Sequence, residues 1–290
     1  MIRSLKVVIA LLVLLLLVWN LTLYYVDGQL SQRTYPEVYD DCHKVWSSRG
    51  LYNSHDERNS ITSFRRAFEH GATGAEVDFS YDVRMDRFVV GHAHPKKDAE
   101  GNYIYAKKDG AILTLERLFD AVGEKHYFWL DYKNLEHLSK EETAAAIQRL
   151  IKITRDGGLR ERLYIEASNP LSLPAYTEAG FKTILGIHPL AEENVLSSIV
   201  VNGYKLAYFF NDITAIAMPY GSVERPIYGK MTEKTLDDIP LFLFHVPDDK
   251  NVLKRVNDIS MVRVILVGRD KSINRFTENN CQDNMSSIVK

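Results

Sequence analysis

At 290 residues the chain has room for one large barrel or two modest domains. Its 46% hydrophobic and 26% charged residues are ordinary globular usage. A formal net charge of −2 leaves no basic footprint, which argues against nucleic acid as a partner.

Arg3 and Lys6 precede a run from Val7 to Val26 whose only polar members are Asn20 and Thr22. At ~1.5 Å per residue such a run spans a hydrocarbon core of ~30 Å. Trp19, Tyr24 and Tyr25 stand toward its outer end, where amphipathic rings favour the interface. Residues 1–26 are therefore expected to be a cytoplasmic N-terminus and single transmembrane anchor, with the remainder periplasmic, lumenal or extracellular. A cleaved signal peptide is the rival, but no clear small-x-small site follows the apolar core. Residues 27–41 are polar and read as a tether, 42–276 as a barrel and 277–290 as a C-terminal tail. Cys42 and Cys281 either pair in an oxidising compartment or stay free thiols, and no Cys/His spacing resembles a zinc site.

Eight β-rich runs follow: Lys44–Ser48, Ala75–Ser80, Tyr127–Asp131, Leu163–Ala167, Lys182–Ile187, Ile213–Met218, Leu241–Val246 and Arg263–Val267. Most are continuously apolar, as parallel strands buried on both faces require. Helical spacing lies between them in Ser60–His70, Leu115–Val122 after Thr114, Glu141–Asp156 after a Ser139/Glu142 capping box, Pro170–Ala179 and Asp249–Asp258. This alternation predicts an α/β fold, a closed (β/α)8 TIM barrel behind the N-terminal helix, with an open doubly wound sheet as runner-up. Gly91–Leu113 is long for a strand–helix connection, and its Lys96, Lys97, Lys107 and Lys108 suit either a lid over an anionic substrate or a solvated loop.

In such barrels the active groups sit where strands end. The predicted ends carry Ser48, Arg49, Glu76, Asp78, His92, Asp131, Lys133, Glu166, His188, His245 and Asp270. Glu76 and Asp78 alternate on one strand and so share a face, and Asp131 and Lys133 do the same on the next strand. Three carboxylates offering hard oxygens suit Mg²⁺ or Ca²⁺ better than zinc. The alternative is a plain Asp131–Lys133 salt bridge. His92 ends the apolar run Phe88–Gly91 and would stand beside the ion as an acid/base group.

Arg49-Gly50, Asn59-Ser60, Ala67-Phe68, Gly74-Ala75-Glu76-Val77-Asp78, Val89-Val90-Gly91-His92, Leu113-Thr114-Leu115-Glu116 and Leu130-Asp131-Tyr132-Lys133 together resemble the glycerophosphodiester phosphodiesterase family. The resemblance is specific from about Lys44 to Lys133 and topological beyond. It implies a barrel of the phospholipase-C-like superfamily that cleaves phosphodiesters with a divalent cation, two histidines and basic residues on the phosphate. Carried onto this chain, Glu76 and Asp78 match the metal-binding pair and Asp131 the third ligand, usually glutamate. His92 matches the second catalytic histidine, and Arg49 and Lys133 match the phosphate contacts.

Three departures accompany the match. The family's first histidine falls on Ser48, the glutamate of its Pro-Glu-Asn-Thr motif is Arg58, and the aspartate after its second histidine is Ala93. His55 in the first strand–helix loop, or His94 beyond His92, is a candidate for the missing imidazole, His94 also for substrate contact. The expected function is an anchored, metal-dependent hydrolase of a glycerophosphodiester or phospholipid headgroup. Its alternatives are a phospholipase-D-like lyase and a catalytically impaired barrel that binds a phosphorylated ligand.

Overall fold

The computed structural model describes residues 2–93, 95–100, 103–155, 158–269 and 271–277. Eight strands run parallel in chain order: β1 (Val45–Ser48), β2 (Gly74–Asp82), β3 (Tyr127–Tyr132), β4 (Leu163–Ala167), β5 (Lys182–Gly186), β6 (Ala215–Pro219), β7 (Leu241–Val246) and β8 (Val262–Val267). The ring closes because β1 pairs with β8 through Val45↔Ile265 and with β2 through Ser48↔Glu76. The expected TIM barrel is the observed fold, and its strands fall within two residues of their expected positions.

A helix precedes the barrel and helices fill the crossovers. They are α1 (Ile2–Leu30), α2 (Ile61–Glu69), α3 (Leu115–Val122), α4 (Lys140–Ile153), α5 (Pro174–Glu178), α6 (Ser197–Phe210), α7 (Lys230–Thr235) and α8 (Lys250–Asn257). Hydroxyl caps start the predictable ones: Ser60 on α2, Thr114 on α3, and Ser139 with Glu142 on α4. The sequence pattern gave no helix for α6 or α7. Neither start has a side-chain cap, α6 carries Ile199, Val200, Val201 and Gly203, and α7 is under two turns long.

Glu76 and Asp78 lie on β2, which continues past the barrel rim and turns back as an antiparallel strand, Arg87–Val90, with Phe79 opposite Val90. His92 therefore follows this return strand and does not end a barrel strand. The connection beyond it forms a small hairpin, Lys96–Lys97 against Tyr103–Ile104, with both lysines exposed.

The barrel interior is apolar and aromatic from below. Trp46, Trp129, Tyr164, Ile184, Phe242 and Val264 fill it. The indole of Trp46 needs the bare Gly74 beside it, since a Cβ there would lie 2.5 Å from the ring. Tyr35, Val38 and Tyr39 are buried against the same cluster and close the N-terminal end. Tyr39 packs edge-on to Trp46 and Tyr127 at 5.1 and 4.9 Å, and its backbone N–H donates to the Tyr164 hydroxyl at 2.7 Å. Cys42, next to this plug, is disulfide-bonded; Cys281 lies outside the described residues.

Most of α1 is exposed, and its most apolar 18-residue stretch has a mean hydropathy of 2.6. Its C-terminal end meets the barrel domain. Val26 and Leu30 are buried, Tyr25 meets Phe209 at 6.1 Å, and Lys205 pairs with Asp27 at 2.5 Å on α6.

Candidate active site

The open end of the barrel is a cavity of about 370 Å³ at the C-terminal ends of the strands. One wall comes from the β1–α2 loop and β2–β3. Gly50 is at φ +85, and a Cβ would lie 2.6 Å from the Ser63 backbone, so only glycine lets the chain turn there. Arg49 before it and Asn59 after it both take left-handed backbone angles, at φ 61 and 56. The Asn59 N–H donates to the Arg49 carbonyl at 3.0 Å, which pins the two ends of the loop together.

That loop aims Arg49 and Asn59 at Asp78, which is fully buried. Asn59 Nδ2 donates to Asp78 Oδ2 at 2.8 Å, and Arg49 Nε lies 2.8 Å from the same oxygen. Lys133 Nζ sits 2.8 Å from Asp78 Oδ1 and also pairs with Asp131. Arg49 reaches Glu76 at 3.8 Å, and the Ser48 hydroxyl donates to Glu76 Oε2 at 2.6 Å.

Oxygens of Glu76, Asp78 and Asp131 all lie within 4.8 Å of one another. Among the described residues, three carboxylates thus pair with two cations, Arg49 and Lys133. Asp78 Oδ1 is buried and meets Lys133 without hydrogen-bond geometry. A net negative pocket of hard oxygens, one of them lacking a hydrogen bond, fits a divalent cation of the Mg²⁺ or Ca²⁺ kind. A second cluster of ligand types, Asp41, Cys42 and His43, has its sulfur committed to a disulfide.

Burial, then the neighbouring Asp78, pushes the Glu76 carboxyl up to about 7. Burial also raises Asp131, against the opposing pull of Lys133. Asp78 ends below its ordinary value although burial works against it, because Lys133 and Arg49 flank it. From about 4.5 to about 7 the folded chain keeps a proton on Glu76 that the unfolded chain releases, so this stabilisation is complete at lower pH and is lost as pH rises through 7. A cation must displace that proton. Its affinity is expected to climb about tenfold per pH unit up to about 7 and then level off. Calorimetric titration at three pH values checks this, and a flat profile would remove Glu76 from the cation.

His92 lines the cavity at its exposed rim, and burial, opposed by Asp78, lowers its pKa. His55 sits on an exposed 3-10 turn 6.4 Å from the Tyr52 ring and is not among the cavity-lining residues. His94 lies outside the described residues. Lys108 reaches back to the Asp56 carbonyl at 2.5 Å.

The facing wall comes from β4–β8 and contributes Glu166, Ser168, Gly186, His188, Phe244, His245 and Gly268. His245 has a left-handed backbone, φ 53, a strained conformation of the kind that collects at functional sites. Burial and the nearby Asp131 raise the Glu166 carboxyl well above its usual range. Asn59 was part of a recognisable motif, but its clamp on Asp78 depends on loop geometry that spacing does not reveal.

No family model matches the sequence, and no curated protein matches it. Solved structures do. A glycerophosphodiester phosphodiesterase from Parabacteroides distasonis ATCC 8503 is 16% identical with a TM-score of 0.54, the match covering 85% of this chain and 98% of that one. A glycerophosphodiester phosphodiesterase from Agrobacterium tumefaciens str. C58 is 14% identical with a TM-score of 0.54, covering 78% and 96%. At these identities the likeness is one of fold: the chain is built on the barrel of the glycerophosphodiester phosphodiesterases.

Proposed function

We propose that this protein is a membrane-anchored, divalent-cation-dependent phosphodiester hydrolase acting on a glycerophosphodiester or phospholipid headgroup. The observation that carries the reading is the convergence of Glu76, Asp78 and Asp131 within 4.8 Å, flanked by Arg49 and Lys133, in a cavity that His92 also lines. Glu76, Asp78 and Asp131 would hold the Mg²⁺ or Ca²⁺ ion. Bound there, the ion supplies Lewis-acid stabilisation of charge on the phosphoryl group. Arg49 and Lys133 bind the non-bridging phosphoryl oxygens and orient the ester. As a water molecule bonds to phosphorus and gives up a proton to solvent, the ester P–O bond breaks and His92 hands a proton to the departing alcohol oxygen; its lowered pKa makes the protonated ring the stronger acid.

The exposed, apolar α1 supports an anchor, and the disulfide at Cys42 supports an oxidising compartment for the barrel. Ser48 at the place of the family's first histidine favours a second reading, a barrel that binds a phosphorylated ligand without turning it over. The full-length chain in detergent, assayed on a panel of glycerophosphodiesters with Ca²⁺ or Mg²⁺, separates the two. The hydrolase releases alcohol, and EDTA stops it. Ligand-induced thermal stabilisation with background turnover selects the binding barrel, and chelator-insensitive turnover rejects the cation site.

A further inference from the structure

The outer side of α6 carries no charge. Lys205 is its one charged residue, and that side chain turns inward to pair with Asp27 of α1. The inner side buries Val201 and Tyr208 completely. On the outer side Leu196, Ile199 and Phe210 are each more than half exposed. Helical spacing puts them on one face with Gly203, where a Cβ would meet nothing within 4 Å. Exposed positions of α4 and α8 are unlike this: they hold Lys140, Glu141 and Lys152, and Lys250, Lys254 and Arg255. A helix apolar on both sides calls for cover on both sides.

Among the described residues nothing covers the outer row, but α1 lies beside it. Val7–Val26 reaches across a hydrocarbon core of ~30 Å only when the run is used to its end. The last turn of that run is already against the barrel domain. Leu23 is partly buried and Val26 fully buried. Tyr25 meets Phe209, whose ring lies 5.2 Å from Phe210. Tyr24 and Tyr25 stay exposed, at the level where such rings favour the membrane interface. A full span therefore brings the α6 flank to the bilayer surface. A second copy of the chain would match the chemistry, but the area is too small. The helix is 14 residues long, so its face measures about 21 by 10 Å, against about 800 Å² per partner in a stable interface.

We propose that the outer face of α6, from Leu196 to Phe210, lies on the lipid surface as a second, non-spanning membrane contact. The inference rests on the anchored reading above. It also fixes how the barrel sits. α6 follows β5 and so runs from the cavity rim back to the plugged pole. A barrel held along α6 rests on its flank, with its mouth facing sideways and the β5–α6 connection, which carries His188, at the lipid edge of the cavity.

The test uses the full-length chain in phosphatidylcholine vesicles doped with a phospholipid that carries a photoreactive diazirine high on its acyl chain. Cross-linked peptides are read by mass spectrometry. Label is expected on α1 and on residues 196–210, and none on α4 or α8. Ile199→Glu/Phe210→Glu, at two exposed positions, should keep the wild-type circular dichroism and the α1 label and lose the α6 label. Label on α1 without α6 overturns the proposal. Label at Phe210 without Ile199 overturns it too, since the barrel then stands upright. So does an α6 label that survives both glutamates, or a detergent-solubilised dimer that both glutamates dissociate, which assigns the face to a second copy. A chain that does not float with the vesicles removes the anchored reading itself.

Discussion

Asp78→Asn is expected to abolish cation-dependent turnover and to destabilise the fold by about 1–3 kcal/mol, the usual cost of leaving a buried donor without its acceptor. The size follows from position. Asp78 has no solvent exposure, accepts a hydrogen bond from Asn59 and is ion-paired with Arg49 and Lys133, each at 2.8 Å. An amide keeps the shape but turns one acceptor into a donor that faces other donors. It also removes the charge that both cations share. Arg49 would keep Glu76 at 3.8 Å and Lys133 would keep Asp131. Urea denaturation reads the stability loss and calorimetry the cation affinity. A variant that unfolds at the wild-type midpoint and still takes up the ion would show that Asp78 is neither the electrostatic keystone nor a ligand.

Ser48→His is expected to raise turnover by about 10²–10⁴-fold, the usual contribution of a positioned acid/base group. Ser48 ends β1 on the cavity wall beside Glu76. A hydroxyl does not take up a proton near neutral pH, and an imidazole does. The substitution gives up the 2.6 Å bond to Glu76, a loss of about 1.5–3 kcal/mol for a bond to a charged acceptor. The gain should therefore be read as kcat on one substrate, with melting temperature as the control. An unchanged kcat would mean that the reaction does not lack an imidazole, and would direct attention to His188 and His245 on the facing wall.

The barrel was legible because parallel strands buried on both faces must be continuously apolar. β4 and β7 begin and end where their hydrophobic runs do. The acidic triad was legible for a related reason: alternation along β2 and along β3 fixes which side chains share a face, and the Asp78↔Asp131 register then brings the two strands level. What stayed hidden depends on contacts between distant segments. α6 is apolar around much of its circumference and has no cap, so no period marked it. Asn59 matters through a left-handed loop, and the Glu166 carboxyl fits only because Gly186 on the next strand has no side chain. Polarity gave residues 27–41 the look of a tether, yet Tyr35, Val38 and Tyr39 within it are buried under the barrel.

That plug sets a direction. The segment leading from α1 seals the pole of the barrel where strands begin, and α1 itself leaves from beside the last turns of α6. The cavity opens at the antipode, where strands end. The entrance for ligand therefore lies a full barrel height from the pole that this segment closes.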